Sequence, residues 1–259
     1  GNTFAMGSSN VTLYAQWTEN TYSVTYNGNG NTGGSVPTDG TSYHNGDTAT
    51  VLGNTGSLVK TGYTFAGWNT AANGSGTNYT GGDTFGITTN NVTLYAQWTA
   101  VDYTVTYNGN TSTGGVVPTD GSVYNITDTV TVLGNTESLA KTGYTFAGWN
   151  TAANGSGTGY SGGDTFAMGS SNVTLYAQWT AVDYTVTYNG NTSTGGVVPT
   201  DGSVYNITDT VTVLGNTGSL VKTGYTFAGW NTAANGSGSG YTGGNTFAMG
   251  SSNVTLYAQ

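Results

Sequence analysis

Along this chain the apolar positions recur in twos, the period of a β-strand, and almost never at helical spacing. In Tyr103–Tyr107, the residues Tyr103, Val105 and Tyr107 alternate with Thr104 and Thr106, which predicts a half-buried strand. Asp128–Leu133 alternates again, with Val130 and Val132 facing inward. Lys141–Asn150 reads KTGYTFAGWN; Tyr144 and Phe146 share one face, Gly148 loosens the strand, and Trp149 follows. This density of rings predicts the most heavily buried strand. Val173–Trp179 sets Val173, Leu175, Ala177 and Trp179 against Thr174, Tyr176 and Gln178 on the other face, and Asp164–Met168 predicts a further short strand. Gly/Asn/Thr-rich stretches at 108–115 and 150–163 read as loops, the second anchored by Tyr160. Gly134–Gly143 is the helix candidate, with Asn135 or Thr136 as N-cap, Leu139 facing in and Gly143 closing it. The order strand, strand, short helix, strand, strand predicts a mainly β (α+β) module. It would be a small twisted sheet with one short helix, β-grasp-like rather than a sandwich.

The pattern repeats. KTGYTFAGWN begins at Lys60, Lys141 and Lys222, 81 residues apart, and the flanking strands keep the same beat. Tandem modules are therefore expected at 20–100, 101–181 and 182–259, with 1–19 as the closing strand of a preceding, truncated repeat. The expected cores centre on Tyr63, Phe65, Trp68 and Trp98; on Tyr144, Phe146, Trp149 and Trp179; and on Tyr225, Phe227 and Trp230. Residues 1–16 are identical to 244–259, so the chain reads as a window on a longer array, entered inside a unit at Gly1 without a signal peptide. Val11, Leu13, Ala15 and Trp17 would line one face of a strand that pairs with another unit or a neighbouring chain. The joint Thr180–Asp183 is too short to act as a flexible linker, so adjacent units should be stiffly coupled.

Composition alters this picture in two ways. The 259 residues include 19 Tyr and 6 Trp, so the cores should be aromatic rather than aliphatic. Only 6% of residues are charged, with 3 Lys, no Arg, 12 acids and a net charge of −9. No basic cluster exists to neutralise phosphates, which excludes nucleic acid and electrostatic docking on anionic lipid. Without cysteine there is neither a disulfide framework nor a thiolate metal site. No apolar run approaches the roughly 18 residues that span a bilayer, so no membrane insertion is expected in this segment.

Candidate chemistry is sparse. The single histidine, His44, is replaced by Asn125 and Asn206 in the sister units, which argues against a per-repeat catalytic role. Lys60, Lys141 and Lys222 occur once per unit and are candidates for an intramolecular isopeptide bond, with Asp128 or Asp164 as the carboxyl catalyst; the alternative is a lysine at the end of the short helix. Asp120, Asp128, Asp164 and Asp183 read as turn residues, and no calcium-binding loop pattern is present. Asn125, Asn154 and Asn172 head glycosylation sequons. No cofactor, metal site or enzymatic reaction is expected.

The trio YTVTYNGN (103–110), KTGYTFAGWNT (141–151) and NVTLYAQWT (172–180) resembles the Listeria–Bacteroides repeat, the B-repeat type of internalin-like bacterial surface proteins. The resemblance spans each unit. It implies a β-grasp-like domain, a role as spacer between the cell wall and a distal domain, an extracellular setting, and no shared catalytic residues. The expected function is a structural array forming a stalk, spacer or filament on a prokaryotic cell surface, its partners being neighbouring repeats or like chains. The alternative is an adhesive module that contacts glycans or host proteins through the loop at 150–163, with Tyr160 and Tyr176 as the stacking rings.

Overall fold

The computed structural model describes residues 1–259. Contacts divide the chain into two compact units, Gly1–Asp102 and Tyr103–Gln259. The first unit carries one set of strands: β1 Val24–Asn27, β2 Thr48–Thr50, β3 Tyr63–Asn69, β4 Asn78–Tyr79, β5 Thr84–Gly86 and β6 Val92–Ala100. The second carries two more sets. They are β7 Val105–Asn108, β8 Thr129–Thr131, β9 Tyr144–Asn150, β10 Gly159–Tyr160, β11 Thr165–Ala167 and β12 Val173–Ala181, then β13 Val186–Asn189, β14 Thr210–Thr212, β15 Trp230–Asn231, β16 Gly240–Tyr241, β17 Thr246–Ala248 and β18 Val254–Ala258.

The protein is mainly β, built of small sheets that recur with the repeat. In the middle set the larger sheet has the order β10-β9-β12-β7. β12 runs parallel to β7, with Val105 opposite Val173 and Tyr107 opposite Leu175, and antiparallel to β9. Parallel neighbours need a long crossover; here everything between the first and last strands of the repeat supplies it. β8 and β11 form a second, two-stranded sheet in which Val130 faces Phe166. Between the two sheets lie Val105, Tyr107, Val130, Val132, Leu139, Trp149, Met168, Leu175 and Ala177, all buried. Equivalent cores fill the first and third sets, so each repeat closes around its own side chains.

Leu133 ties the two layers together. Its backbone N–H donates to Tyr107 Oη at 2.7 Å, and its carbonyl accepts from Trp149 Nε1 at 2.9 Å. The same clamp closes on Leu52 and Leu214. Two large rings thus satisfy a backbone that has left its strand, while burying their own polar atoms against partners.

A β-bulge decides how β9 presents its rings. Phe146 pairs with Trp179 but Gly148 pairs with Gln178, which leaves Ala147 extra. Gly148 accommodates this at φ +121°, a conformation that favours glycine. The bulge resets the alternation, so Phe146 and Trp149, three apart in sequence, meet edge-to-face with centroids 5.0 Å apart.

Three expectations are corrected. Gly134–Gly143 is not a helix; it holds a turn at Asn135–Glu137 and an isolated bridge at Ala140. Asn135 folds its side chain forward, accepting from Leu139 N at 2.7 Å and donating to Leu139 O at 2.8 Å, and Ser138 takes φ +53°. A stretch this short gains too few helical hydrogen bonds to offset nucleation, and the local Asn bonds compete successfully. Second, residues 1–19 form no strand: Val11, Leu13 and Ala15 are exposed and Trp17 is 91% exposed. In β12 and β18 the same residues pair with β7 and β13, the first strands of their own repeats. Third, Tyr225 is not in a core but 73% exposed. β15 spans only Trp230–Asn231, so Tyr225 lies outside a strand, whereas Tyr63 and Tyr144 open β3 and β9.

Candidate functional site

The remaining expected core residues are distributed unevenly. Trp68, Trp149 and Trp230 are fully buried, while Phe65, Phe146, Phe227, Trp98 and Trp179 pack half-buried against the cores. Tyr63 and Tyr144 lie half-buried at the start of their strands. Trp179 seals the open side of repeat 2, donating from Nε1 to Gly109 O at 3.1 Å with its ring 5.7 Å from Phe146. The corresponding region of repeat 3 is a cavity of about 600 Å³ lined by Gly190, Asn191, Phe227 and Gln259. It lies where the indoles of Trp98 and Trp179 sit in the other repeats, beside the last residues Ala258 and Gln259, and carries no reading as a ligand site.

The loop at 150–163 is built from its first residue. Asn150 is buried, accepts from Ala152 N and Gly157 N at 2.8 and 3.0 Å, and donates to the carbonyls of Gly155 and Gly157. Asn69 and Asn231 hold their loops in the same way, and these three are the buried polar side chains of the protein. The sequence reading missed this role; the signal was the asparagine following Trp in every copy, at the head of a Gly/Asn-rich loop. Tyr160 belongs to β10, lies opposite Trp149 and packs 5.1 Å from Phe166. It is a loop anchor folded onto the core, as expected, and not a free stacking ring; Tyr176 on β12 is half-buried.

Lys60, Lys141 and Lys222 each place Nζ over the ring three residues ahead, at 4.6, 4.4 and 4.9 Å from the centroids of Tyr63, Tyr144 and Tyr225. The proposed carboxyl catalysts lie elsewhere, closing turns: Asp128 accepts from Asn125 N and Asp164 from Ser161 N, each at 2.7 Å. This geometry corrects the isopeptide reading, because no lysine meets the carboxylate such a reaction needs. A cation–π contact accounts for each lysine. His44 is half-buried, 3.5 Å from Asp47 and 3.9 Å from Glu19. No three His, Asp or Glu side chains converge to hold a metal.

Tyr107 is one of the tyrosines that burial perturbs, with Tyr26 and Tyr188 at the same place in the other repeats and Tyr43, Tyr124 and Tyr205 beside them. Burial pushes its hydroxyl up, against the hydrogen bond from Leu133, and the Asp120 charge adds to the rise. A raised folded value means that the contribution to stability is complete below the unfolded value of about 10 and lost as pH rises through the folded one. Stability should therefore fall in alkali. Tyr107→Phe should shrink repeat 2's share of that fall, leaving the part that Tyr124 carries, while costing about 1 kcal/mol at neutral pH. Urea midpoints measured against pH test this; an unchanged alkaline slope in the variant would refute it.

The remaining constellation is the joint between repeats 2 and 3. Val182 N donates to Gly143 O at 2.9 Å. Asn206 Nδ2 reaches back to Val182 O at 3.1 Å and Asp183 Oδ1 at 2.9 Å. Ile207 sits against Gly143, which is buried at φ +79°; a Cβ there would lie 2.7 Å from Ile207 Cγ2. Gly143 was expected to end a helix. Its place is instead at a repeat–repeat contact, where the missing side chain leaves room for the isoleucine.

Comparison with known proteins bears on this arrangement. The family model for the Listeria-Bacteroides repeat domain matches three times, at residues 22–97, 103–178 and 184–259. A protein of Evansella cellulosilytica that carries the name Gly-rich membrane protein is 37% identical over 174 residues, covering 66% of this chain and 20% of that protein. A second membrane protein of the same organism is 38% identical over 178 residues, 66% of this chain and 24% of its own length. Internalin H of Listeria monocytogenes is 37% identical over 133 residues, 48% of this chain and 20% of the internalin. The chain thus spans a fifth to a quarter of the length of these relatives.

Proposed function

The chain belongs to the Listeria–Bacteroides repeat family, and we propose that it is a segment of an extracellular stalk or spacer on a prokaryotic cell surface. The observation that carries this reading is that each repeat closes its own core, while repeat 3 is seated on repeat 2 through Ile207, Asn206 and a four-residue joint. Self-contained modules joined without slack transmit length and direction. The names of the relatives, membrane protein and internalin, support a cell-surface setting. The finer form we assign is a β-grasp-like sheet reduced in its helix: first and last strands of the repeat lie parallel and adjacent, and the third flanks the last.

The polar, nearly uncharged surface suits close packing of like arrays without long-range repulsion. An adhesive role through the loop at 150–163 draws less support, because Asn150 and Tyr160 are occupied internally. We assign the chain no reaction and no cofactor.

Pulling the 259-residue chain by its ends tests the spacer reading. Repeats 1 and 2 should unfold in separate events of equal contour-length gain, roughly 20–25 nm each at about 3.4 Å per residue. A single cooperative event would overturn the modular array. Saturable binding of the folded chain to one sugar on a glycan array would overturn the spacer in favour of the adhesive reading.

A further inference from the structure

The repeats share most of their sequence, and two of the places where they differ touch in space. Repeat 3 presents Asn206–Ile207 to a joint that reads Ala181–Val182–Asp183. The same residues recur in sequence at 125–126 and 100–102. At the equivalent positions, repeat 1 carries His44–Asn45, and the joint before it reads Glu19–Asn20–Thr21. Both sides of the contact change together, while the surrounding turn does not: His44 N donates to Asp47 Oδ2 at 2.7 Å just as Asn206 N donates to Asp209 Oδ2 at 2.7 Å.

We propose that the dipeptide at 206–207 and its equivalents is the specificity element of the joint: Asn-Ile docks a repeat rigidly on the glycine hollow and joint backbone of the repeat before it, whereas His-Asn makes a compliant joint. Two features of the Asn-Ile joint do the locking. Ile207 is the apolar surface that covers Gly143, and it fits because position 143 has no side chain and holds a φ that other residues resist. Asn206 has one amide group that meets both the Val182 carbonyl and the Asp183 carboxylate, so it fixes the joint's direction as well as its separation. In repeat 1 neither feature survives. Asn45 is polar and offers no apolar surface to cover a glycine, and His44 lies 3.9 Å from Glu19 in place of the amide contacts. A single pair at that separation holds little. The array therefore has two joint classes written into its sequence, and a hinge where His-Asn stands.

This inference rests on the stiff-array reading above, and one experiment separates the two. The chain has no cysteine, so Thr131→Cys and Thr212→Cys place a unique spin-label pair at equivalent exposed positions of β8 and β14. Pulsed dipolar spectroscopy on the full chain then reads the distribution of distances between repeats 2 and 3. We expect a narrow distribution that broadens at least twofold with Asn206→His plus Ile207→Asn. Circular dichroism and the thermal midpoint should barely change, because repeat 1 already folds with that dipeptide. Adding Ala181→Glu, Val182→Asn and Asp183→Thr, which completes the set found before repeat 1, should leave the distribution broad. If the five-residue exchange restores a narrow distribution, His-Asn is a second rigid class and the proposal fails. A narrow distribution unaltered by the dipeptide exchange sinks this inference alone; a broad one in the parent chain sinks the stiff-array reading with it.

Discussion

Trp149→Ala is expected to unfold repeat 2 within a chain whose repeat 1 stays folded. The indole is 1% exposed, meets Tyr107 edge-on at 4.7 Å and Phe146 at 5.0 Å, and caps the Leu133 carbonyl. Removing so large a ring from a core costs about 3–5 kcal/mol. A module of this size is stable by about 4–12 kcal/mol in total, so the loss rivals the lower end of what holds it. The clamp on Leu133 fails with it, since Tyr107 alone cannot keep the second sheet against the first. Urea unfolding followed by tryptophan emission and circular dichroism should show one early transition separated from that of repeat 1. Trp149→Phe keeps most of the packing but strands the Leu133 carbonyl, and should cost roughly 1–3 kcal/mol. A shift below about 1 kcal/mol for the alanine variant would mean that the aromatic core is not what holds the module.

Gly148→Val is expected to be the second most damaging single change. A Cβ at this position would lie 2.8 Å from the Tyr160 carbonyl oxygen, and the backbone stands at φ +121°. Strain of this kind costs of order 1–3 kcal/mol for a residue with a side chain, and a β-branched one is the worst case. To relieve it, β10 must leave β9 or the bulge must straighten. Straightening returns Phe146 and Trp149 to opposite faces, so the lost packing adds to the strain, for a total of roughly 3 kcal/mol or more. Gly148→Ala should lose less. Combined with Trp149→Ala, the valine should add little, because both act on the same contact. Thermal midpoints of the single and double variants decide this, and full additivity would show the bulge to be dispensable to the core.

Much of the module was legible because strand periodicity is a local property. The alternation in Tyr103–Tyr107 places Val105 and Tyr107 in the core as read, and Val130 and Val132 likewise. The family was legible from the recurrence of KTGYTFAGWN with its flanking strands. The helix was misread because Asn135, Leu139 and Gly143 fit a capped turn of helix equally well as residues. What separates the two is the pair of bonds from Asn135 to Leu139, which depends on where the neighbouring strands carry the chain. The role of Asn150 was hidden for a similar reason. A Gly/Asn-rich loop looks solvent-facing until its backbone is seen to wrap an asparagine side chain.

From the sequence by itself came the 81-residue beat, the strand-rich aromatic character, the near absence of charge and the membership of a repeat family. These follow from residue type and spacing, which need no knowledge of distant contacts. Only the tertiary structure decided that β7 and β12 lie parallel in the larger sheet, that a bulge at Gly148 turns Phe146 onto Trp149, and that Gly143 is a seat for Ile207. Each of those joins residues far apart in the chain or depends on a backbone angle that only the folded neighbours impose. Periodicity can say which face of a strand is apolar, but not which other surface will cover it.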